Sequence, residues 1–347
     1  MKIENMPELQ DLVTFRPNLK HPVHRWFYYK EAFSRDLVNI ILKEFRPKTV
    51  LDPFCGTGTT LLACAEKGID SIGFDVNPIA IIASRAKTMI YNTEVLRQEK
   101  ERVFSEKFSE TRLVENRLER YFTKETLKRL VFNKSLANKT KYNDFFLLAL
   151  ANAAYECSNV VRDGAMLRHS SKRFIPIRAV FGRNMETMWR DLKKIKLTGK
   201  AHVMEADARK IPLKDHSVDA VITSPPYIGI EDYTRAYAIE NFVVGQDIKD
   251  WLGKGIQKKE QYMADMLKVL RELKRVCKPK SPMAFVIWDG FVNGEIIDIV
   301  QEMSSMAKKA GIGVEKVWIA RTKPALVSRT KKVGDLREVV IFLRSRP

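Results

Sequence analysis

The sequence is poor in the residues that build disulfide frameworks and metal centres. Its 347 residues include four cysteines and five histidines. The cysteines lie far apart without a C-x-x-C pair, which excludes the usual spacing of a zinc site or a disulfide framework. His21 and His24 are close together, but no other cysteine or histidine follows nearby, so we expect no metal ion.

Long apolar runs are also missing. The longest, such as Phe145–Ala154, are too short to span a bilayer, and Met1–Asn5 has no apolar stretch like that of a signal peptide. We therefore expect a soluble, cytoplasmic protein with no membrane partner. Apolar residues still make up 45% of the chain, which is enough for a sizeable core.

Acidic residues are scarce relative to basic ones. The chain has 42 Asp and Glu against 61 Lys and Arg, a net charge of +19. This excess favours a polyanionic partner, because lysine and arginine neutralise phosphates and release counterions. A heat-adapted surface rich in charge is the alternative interpretation, although such a surface would balance its signs more closely. We expect a nucleic-acid partner; the oligomeric state is left open.

Strands and helices alternate at the start of the chain. A buried strand over Lys48–Asp52 is followed by a helix over Thr59–Lys67, and a strand over Asp70–Asp75 by a helix over Pro78–Met89. This βαβα pattern predicts an α/β fold with a mostly parallel, doubly wound sheet.

The alternation returns after residue 200. Later strands are expected at Ala201–Glu205, Ser217–Thr223, Met283–Trp288, Val314–Ala320 and Glu338–Leu343, with helices over about 257–277 and 293–310. Only a loop separates the last two strands, which predicts an antiparallel edge.

Residues 93–199 interrupt this alternation. Residues 93–183 show helical periodicity and no clear strand, and they include the apolar helix Asp144–Tyr155. We expect a helical insertion between the second and third strands. The chain would then consist of a discontinuous core over residues 1–92 and 200–347 and a candidate substrate-recognition region over 93–199.

The strongest local signal is the glycine-rich run DPFCGTGTT at residues 52–60, between a strand and a helix. Glycines let the backbone turn tightly and approach a ligand, which in such a sheet lies beyond the C-terminal strand ends. A triphosphate loop would need a Gly-Lys-Ser/Thr sequence that does not follow. Asp75, at the tip of the second strand, would accept from ribose hydroxyls, and Asp207, at the tip of the third, from an adenine amino group. Helix capping is the alternative for Asp75, and a solvent-exposed loop position for Asp207.

The run at residues 52–60 resembles the cofactor motif of amino-group DNA and RNA methyltransferases. The resemblance implies a Rossmann-like class I methyltransferase fold and S-adenosylmethionine as cofactor. The implied cofactor-binding residues are Asp52, Phe54, Gly56, Gly58, Thr59, Asp75, Asn77, Asp207, Ala208 and Trp26. Trp26 belongs to the segment His21–Tyr29, which resembles the segment that closes over the cofactor's methionine end in these families; core packing is the alternative for its aromatic residues.

A candidate catalytic tetrapeptide, Ser224-Pro225-Pro226-Tyr227, follows the strand that ends at Thr223. An exocyclic amino nitrogen is a poor nucleophile, because its lone pair is delocalised into the ring. The Ser224 hydroxyl and the Pro225 carbonyl would accept its two hydrogens and localise that lone pair, while Pro225 and Pro226 stiffen the turn. The ring of Tyr227 would stack on the extruded base, a contact worth ~1–3 kcal/mol. Its hydroxyl is expected to be dispensable. The alternative is an ordinary turn.

The serine of this tetrapeptide resembles that of N4-cytosine methyltransferases, whereas aspartate is usual for adenine N6 and for guanine N2 of tRNA. The whole chain is similar to archaeal N4-cytosine methyltransferases of small-subunit ribosomal RNA, and a heat-adapted composition fits that lineage. The cofactor motif also precedes the catalytic motif, unlike the commonest order in N4-cytosine restriction-modification enzymes. We therefore expect N4 methylation of cytosine in structured RNA, with small-subunit ribosomal RNA favoured. The alternatives are a DNA methyltransferase acting on cytosine N4 or adenine N6, a tRNA guanine-N2 methyltransferase and, without catalysis, a cofactor-binding regulator.

Two basic stretches are candidates for holding phosphates. Residues 161–200 carry eleven Lys and Arg against three acids, and residues 321–332 carry five and no acid. The expected nucleic-acid contacts are Arg168, Lys172, Arg173, Arg178, Arg321 and Lys323. For lysines on a helix, a solvated surface is the alternative.

Overall fold

The computed structural model describes residues 1–110, 119–163, 166–170, 175–228, 236–245, 258–292, 294–327 and 331–346. Two of the expected nucleic-acid contacts, Lys172 and Arg173, lie outside these residues. The centre of the described chain is an eight-stranded sheet with the strand order β1-β11-β12-β8-β7-β2-β3-β6. Its strands are β1 (Lys2–Asn5), β2 (Thr49–Asp52), β3 (Asp70–Asp75), β6 (Ala201–Glu205), β7 (Ala220–Thr223), β8 (Pro282–Trp288), β11 (Ile312–Val327) and β12 (Lys331–Ser345). Two small hairpins join β4 (Val160–Asp163) to β5 (Met166–His169) and β9 (Gly290–Val292) to β10 (Glu295–Ile297).

The sheet is mostly parallel and is wound in both directions from β2. β2 pairs in parallel with β3 on one side and with β7 on the other, β3 pairs with β6, and β7 pairs with β8. β12 runs antiparallel to both β8 and β11. The order therefore reverses between β2 and β7, the point at which open α/β sheets bind ligands beyond their C-terminal strand ends. The predicted Rossmann-like fold is confirmed.

Helices cover both faces of the sheet. The helices that flank it are α1 (Arg35–Phe45), α2 (Thr59–Glu66), α3 (Pro78–Thr88), α9 (Lys259–Val276) and α10 (Ile299–Lys309). α1 begins at Ser34, whose hydroxyl accepts from the Leu37 backbone N–H at 3.1 Å. The apolar stripe of α1 packs on one face around Val50 and Phe342, and α9 and α10 pack on the opposite face around Phe285.

The inserted region is built mainly from helices. They are α4 (Thr93–Ser105), α5 (Lys124–Asn138), α6 (Asn143–Cys157) and α7 (Ile177–Leu192), and α8 (Ala238–Val244) joins them from the later part of the chain. Phe145 and Phe146 of α6 are buried in a cluster with Ile79 of α3, so the insertion packs on a helix that flanks the sheet. α6 is rich in apolar residues, but neither it nor any other helix in the described part of the chain combines the length and apolar character that a membrane span needs.

Two details of the expected fold are wrong. The insertion contains the hairpin of β4 and β5, whose short strands carry too little period-two alternation to stand out in the sequence. The helix expected over 293–310 begins at Ile299, because β9 and β10 precede it and the Asp298 side chain caps it by accepting from Gln301 N–H at 3.0 Å. The expected antiparallel pairing of the last two strands is confirmed, and β1 adds a strand outside β11, with which it pairs in parallel through Lys2–Asn5.

β11 and β12 are also much longer than expected. β12 pairs with β8 only from Glu338 onwards. The preceding part of β12, residues 331–337, pairs with residues 322–327 of β11 alone. This paired extension lies past the C-terminal end of β8 at Trp288, on the edge of the sheet that carries the candidate site.

Candidate active site

The glycine-rich loop after β2 needs glycine at two positions. Gly56 and Gly58 have φ values of +50° and +79°, in the left-handed region that other residues avoid. A Cβ on Gly58 would lie 2.9 Å from Ser84 Oγ, closer than a packed carbon allows. The same Ser84 hydroxyl donates to the Gly56 carbonyl at 2.7 Å and ties the loop to α3. The loop therefore presents bare backbone at the C-terminal end of β2.

Asp75 organises this loop from the end of β3. Its Oδ2 accepts from Gly56 N–H at 2.8 Å, and its Oδ1 accepts from Val76 and Asn77 N–H at 2.7 and 2.8 Å. Burial raises the pKa of Asp75 although these three donors oppose the rise. A carboxylate has about four lone-pair sites, so the side chain retains acceptor capacity for a ribose hydroxyl.

Asp52 joins the cofactor loop to the tetrapeptide. Its side chain is 2% exposed, and Oδ1 accepts from Thr223 Oγ1 at 2.6 Å and from Phe54 N–H at 3.2 Å. Burial raises the pKa of Asp52 to about 7 despite these donors. Thr223 immediately precedes Ser224, so this side-chain hydrogen bond ties the end of β2 to the start of the tetrapeptide after β7. Sequence reasoning missed Thr223, because its partner comes from a distant strand.

The other expected cofactor residues differ in burial. Phe54 is half-buried, Thr59 begins α2 and is buried, and Ala208 is 4% exposed. Asn77 precedes α3 at its N-cap position and is 7% exposed. Its Oδ1 has no hydrogen-bond partner among the described residues, which leaves a buried acceptor beside Asp75.

Asp207 is engaged by a neighbouring arginine. Arg209 donates to it through Nε and Nη2 at 3.0 and 2.8 Å and through its backbone N–H at 2.8 Å. Burial by itself raises the pKa of Asp207, but the bonds from Arg209 hold it below its usual value. Arg209 also donates to Asp265 at 2.9 Å. The Asp207 carboxylate is therefore ionised and oriented at the end of β6.

The segment His21–Tyr29 does not place Trp26 where the resemblance implies. Trp26 is 4% exposed, its Nε1 donates to Asp191 at 3.2 Å, and its ring packs edge-on against Phe145 of α6. The core-packing alternative therefore describes Trp26. Tyr29 reaches the loop instead, because a Cβ on Gly56 would lie 3.6 Å from its ring. Tyr29 stacks on Tyr237 with ring centroids 4.8 Å apart.

The two histidines of this segment pair with carboxylates. His21 Nε2 lies 3.3 Å from Asp36 Oδ2, and His24 Nε2 lies 3.4 Å from Glu66 Oε2. Burial lowers the pKa of His24 to about 4, so its ring is neutral at neutral pH. No group of three His, Cys, Asp or Glu side chains suited to a metal ion occurs in the described part of the chain.

The tetrapeptide lies at the C-terminal end of β7. Ser224 is half-buried and its Oγ donates to the Tyr227 hydroxyl at 3.3 Å. Pro225 is buried and Pro226 half-buried, while burial raises the pKa of the Tyr227 phenol well above its ordinary value. The turn therefore holds Ser224 and Tyr227 together beside the loop that carries Asp52.

A charged and aromatic cluster from the neighbouring strands borders Tyr227. Glu338 of β12 lies between Trp288 of β8 and Arg321 of β11 in the strand register. The Arg321 guanidinium donates to the Glu338 carboxylate and lies 5.1 Å from the Trp288 ring centroid. Lys323 is exposed, and its Nζ lies 5.7 Å from the same ring. The sequence predicted functional roles for Arg321 and Lys323 but gave no signal for Glu338.

The expected nucleic-acid contacts of the insertion differ in exposure. Arg168 has an exposed side chain, 2.9 Å from Asp163 in the β4–β5 hairpin. Arg178 donates to the backbone carbonyls of Val103 and Glu106, both at 2.9 Å. Because these carbonyls occupy its guanidinium, the structure favours a packing role for Arg178 over contact with phosphates.

Comparisons with known proteins agree with this geometry. Residues 7–84 match the family model of N6/N4 methyltransferases, described as DNA methylase. The chain is 31% identical to the Type II methyltransferase M.BsoBI of Geobacillus stearothermophilus over 287 residues, which is 69% of this chain and 56% of that protein. It is 24% identical to the Type II methyltransferase M.AvaI of Nostoc sp. over 404 residues, which is 90% of this chain and 83% of that protein. The chain thus spans little more than half the length of M.BsoBI.

Among solved structures, a SAM-dependent methyltransferase from Methanosarcina mazei matches 88% of this chain and 97% of its own chain. The identity is 11% and the TM-score is 0.39. A match this distant adds nothing to the fold assignment, which rests on strand order and direction in the sheet.

Proposed function

We propose that this chain, whose residues 7–84 match the family model of N6/N4 methyltransferases, uses S-adenosylmethionine to methylate N4 of cytosine in DNA. The observation that carries the proposal is the hydrogen bond from Thr223 to Asp52. It holds the Ser224 turn beside the glycine-rich loop, at the switch point of the sheet. A methyl donor on that loop and an amino group at Ser224 would be neighbours.

The residues of the loop suit this cofactor. The left-handed glycines admit close approach of a ligand, and the buried carboxylate of Asp52 favours a cationic group nearby. Asp75 and the unpartnered Asn77 Oδ1 offer acceptors for hydroxyl groups. The bound cofactor would supply an activated methyl group on a sulfonium.

The chain's own residues would prepare the nucleophile. Ser224 Oγ and the Pro225 carbonyl accept the two amino hydrogens, which draws the nitrogen towards tetrahedral geometry and localises its lone pair. The amino group needs no base before attack, because its proton leaves after the methyl group has arrived. Positioning of the two reactants is therefore the main contribution of the protein.

DNA is the better supported substrate. The family model is described as DNA methylase, and the similar proteins reported above are named Type II methyltransferases. The expectation of a ribosomal RNA substrate, which depended on motif order and on a whole-chain resemblance, finds no support among them. The serine of the tetrapeptide favours cytosine N4 over adenine N6. The helical region over residues 93–199 and the basic residues Arg321 and Lys323 are proposed to contact the nucleic acid.

Methyl transfer from labelled S-adenosylmethionine tests this function. Purified protein is incubated with genomic DNA and, separately, with total RNA, and the products are digested to nucleosides and identified by mass spectrometry. We expect N4-methyldeoxycytidine from DNA. Methylation confined to RNA would overturn the substrate, N6-methyldeoxyadenosine would overturn the base, and the absence of any methylated nucleoside would overturn the function.

A further inference from the structure

Arg162 of β4 has a mostly buried side chain, although it belongs to the basic stretch over residues 161–200 that was expected to hold phosphates. The side chain is 12% exposed, and its Nη2 donates to Glu240 of α8 at 2.6 Å. Its Nε donates to the Ala236 carbonyl at 2.7 Å. Because a buried carboxylate and a carbonyl occupy the guanidinium, Arg162 is fixed within the protein and is not offered to a phosphate.

The Arg162 guanidinium lies between two tyrosine rings. Its Cζ is 4.5 Å from the ring centroid of Tyr155 in α6 and 4.2 Å from that of Tyr237, the residue before α8. The Arg162 backbone N–H also donates to the Tyr155 hydroxyl at 2.9 Å. Tyr237 stacks in turn on Tyr29, with ring centroids 4.8 Å apart and planes 21° from parallel. We call these four side chains the tyrosine column.

The tyrosine column ends on the glycine-rich loop. Tyr29 Cε1 lies 3.6 Å from the position that a Cβ on Gly56 would take, so the ring covers the open side of Gly56. The Gly56 N–H donates to Asp75 at 2.8 Å. α8 makes a second contact with this region, because the Asn241 side chain accepts from Ile79 N–H at 3.1 Å near the start of α3. The inserted region is thus connected to the expected cofactor residues through α8 and Tyr29.

We infer that Arg162 is a positioning residue for the cofactor site, which fixes Tyr29 against the glycine-rich loop through Tyr237. The inference rests on one part of the proposed function, the binding of S-adenosylmethionine at that loop. A loop held in its binding geometry loses less conformational freedom when the ligand binds, so its affinity is higher. A planar guanidinium stacks on rings, whereas the ammonium of lysine is a compact point charge. The tyrosine column therefore depends on arginine and not on positive charge alone.

Two pairs of variants test the inference. Arg162→Lys keeps a charge opposite Glu240 but removes the planar group between the rings. Arg178→Lys is its control, because Arg178 also donates to two backbone carbonyls and lies 5.3 Å from the Phe104 ring centroid, but its described contacts are at α4 and α5. Tyr237→Phe keeps the stacked ring, and Tyr237→Leu removes it.

Calorimetry with S-adenosylmethionine measures cofactor affinity, and thermal denaturation shows which variants are folded. We expect Arg162→Lys and Tyr237→Leu to weaken cofactor binding by about tenfold, because Tyr29 no longer holds the loop in its binding geometry. Tyr237→Phe and Arg178→Lys should bind with wild-type affinity, even if their melting temperatures fall. At saturating cofactor, Arg162→Lys should methylate DNA at nearly the wild-type single-turnover rate, since the tyrosine column acts on the cofactor loop.

Wild-type cofactor affinity in Arg162→Lys would overturn the inference. An equal loss of affinity in Arg178→Lys would also overturn it, because the effect would then be general destabilisation. If Arg162→Lys does not fold, the Tyr237 variants decide, and equal affinities for Tyr237→Phe and Tyr237→Leu refute the inference. A wild type that binds the cofactor but methylates no base refutes the proposed function and leaves the inference standing. A wild type that binds no S-adenosylmethionine refutes both.

Discussion

The C-terminal edge of the sheet has two halves that are held together in different ways. The cofactor half comprises the ends of β2, β3 and β6, and most of its contacts are local in sequence. Asp75 accepts from Val76 and Asn77, and Asp207 accepts from Arg209. Such contacts depend on the geometry of single turns, so the half forms wherever its short motifs follow a strand.

The target half comprises the ends of β7, β8, β11 and β12, and its main contacts are long-range. Arg321 of β11 approaches both Glu338 of β12 and Trp288 of β8. The strand order alone brings these residues together. Under the proposed function, affinity for the cofactor and discrimination of the target base would depend on separate groups of side chains, joined at Asp52.

The largest effect is expected from Asp52, where the halves meet. Its folded pKa of about 7 exceeds the ordinary value, so ionisation is unfavourable in the folded state. The contribution of protonated Asp52 to the free energy of unfolding is fully present below about pH 4 and is lost as the pH rises to about 7. The loss is at most about 4 kcal/mol. Denaturant unfolding of the unliganded protein at several pH values measures this loss. Asp52→Asn should abolish this pH-dependent loss. If the variant kept the pH dependence of the wild type, the raised pKa of Asp52 would be contradicted.

The next largest effect is expected from Ser224→Ala, and it should be confined to the target half. Loss of an acceptor that is needed as the nitrogen gains charge should slow single-turnover methylation by about two decades, with cofactor affinity nearly unchanged. Ser304→Ala is the control, since its hydroxyl donates to the Val300 carbonyl within α10 and to Met1 Sδ. A fully active Ser224→Ala enzyme would remove Ser224 from the site.

Asp75→Ala is the counterpart in the cofactor half. A lost charge-assisted acceptor of ~1.5–3 kcal/mol weakens cofactor binding by about one to two decades in dissociation constant. Calorimetry measures this change, while preference for cytosine over deoxyuridine should persist. Asp70→Ala, at the opposite end of β3, should bind the cofactor normally. Equal affinities for the two variants would place Asp75 outside the cofactor site.

The smallest effect is expected from Lys323→Gln at the rim of the target half. Removal of one phosphate contact should weaken duplex binding and lower the slope of log affinity against log salt by about one. Lys309→Gln, at the end of α10 on the opposite edge of the sheet, should leave the slope unchanged. Identical slopes in fluorescence anisotropy titrations would mark Lys323 as a solubilising residue.

The comparison of the two halves also explains which expectations failed. The expected roles of Trp26 at the cofactor and of Arg178 at the nucleic acid were inferred from local residue type. Their partners, Asp191 and the Val103 carbonyl, come from distant parts of the chain. The hairpin of β4 and β5 and the parallel pairing of β1 with β11 likewise depend on what each strand meets. Residue type alone does not encode the partner of a polar group.

The sequence by itself determined the doubly wound sheet, the glycine loop and the position of Ser224 after β7. Strand periodicity, left-handed glycines and proline turns are properties of a few adjacent residues. They can therefore be recognised from the sequence without knowledge of the fold. Only the tertiary structure decided that Glu338 meets Arg321 and that Thr223 meets Asp52. These pairs form because strand order places remote residues side by side, and burial then makes each hydrogen bond costly to lose.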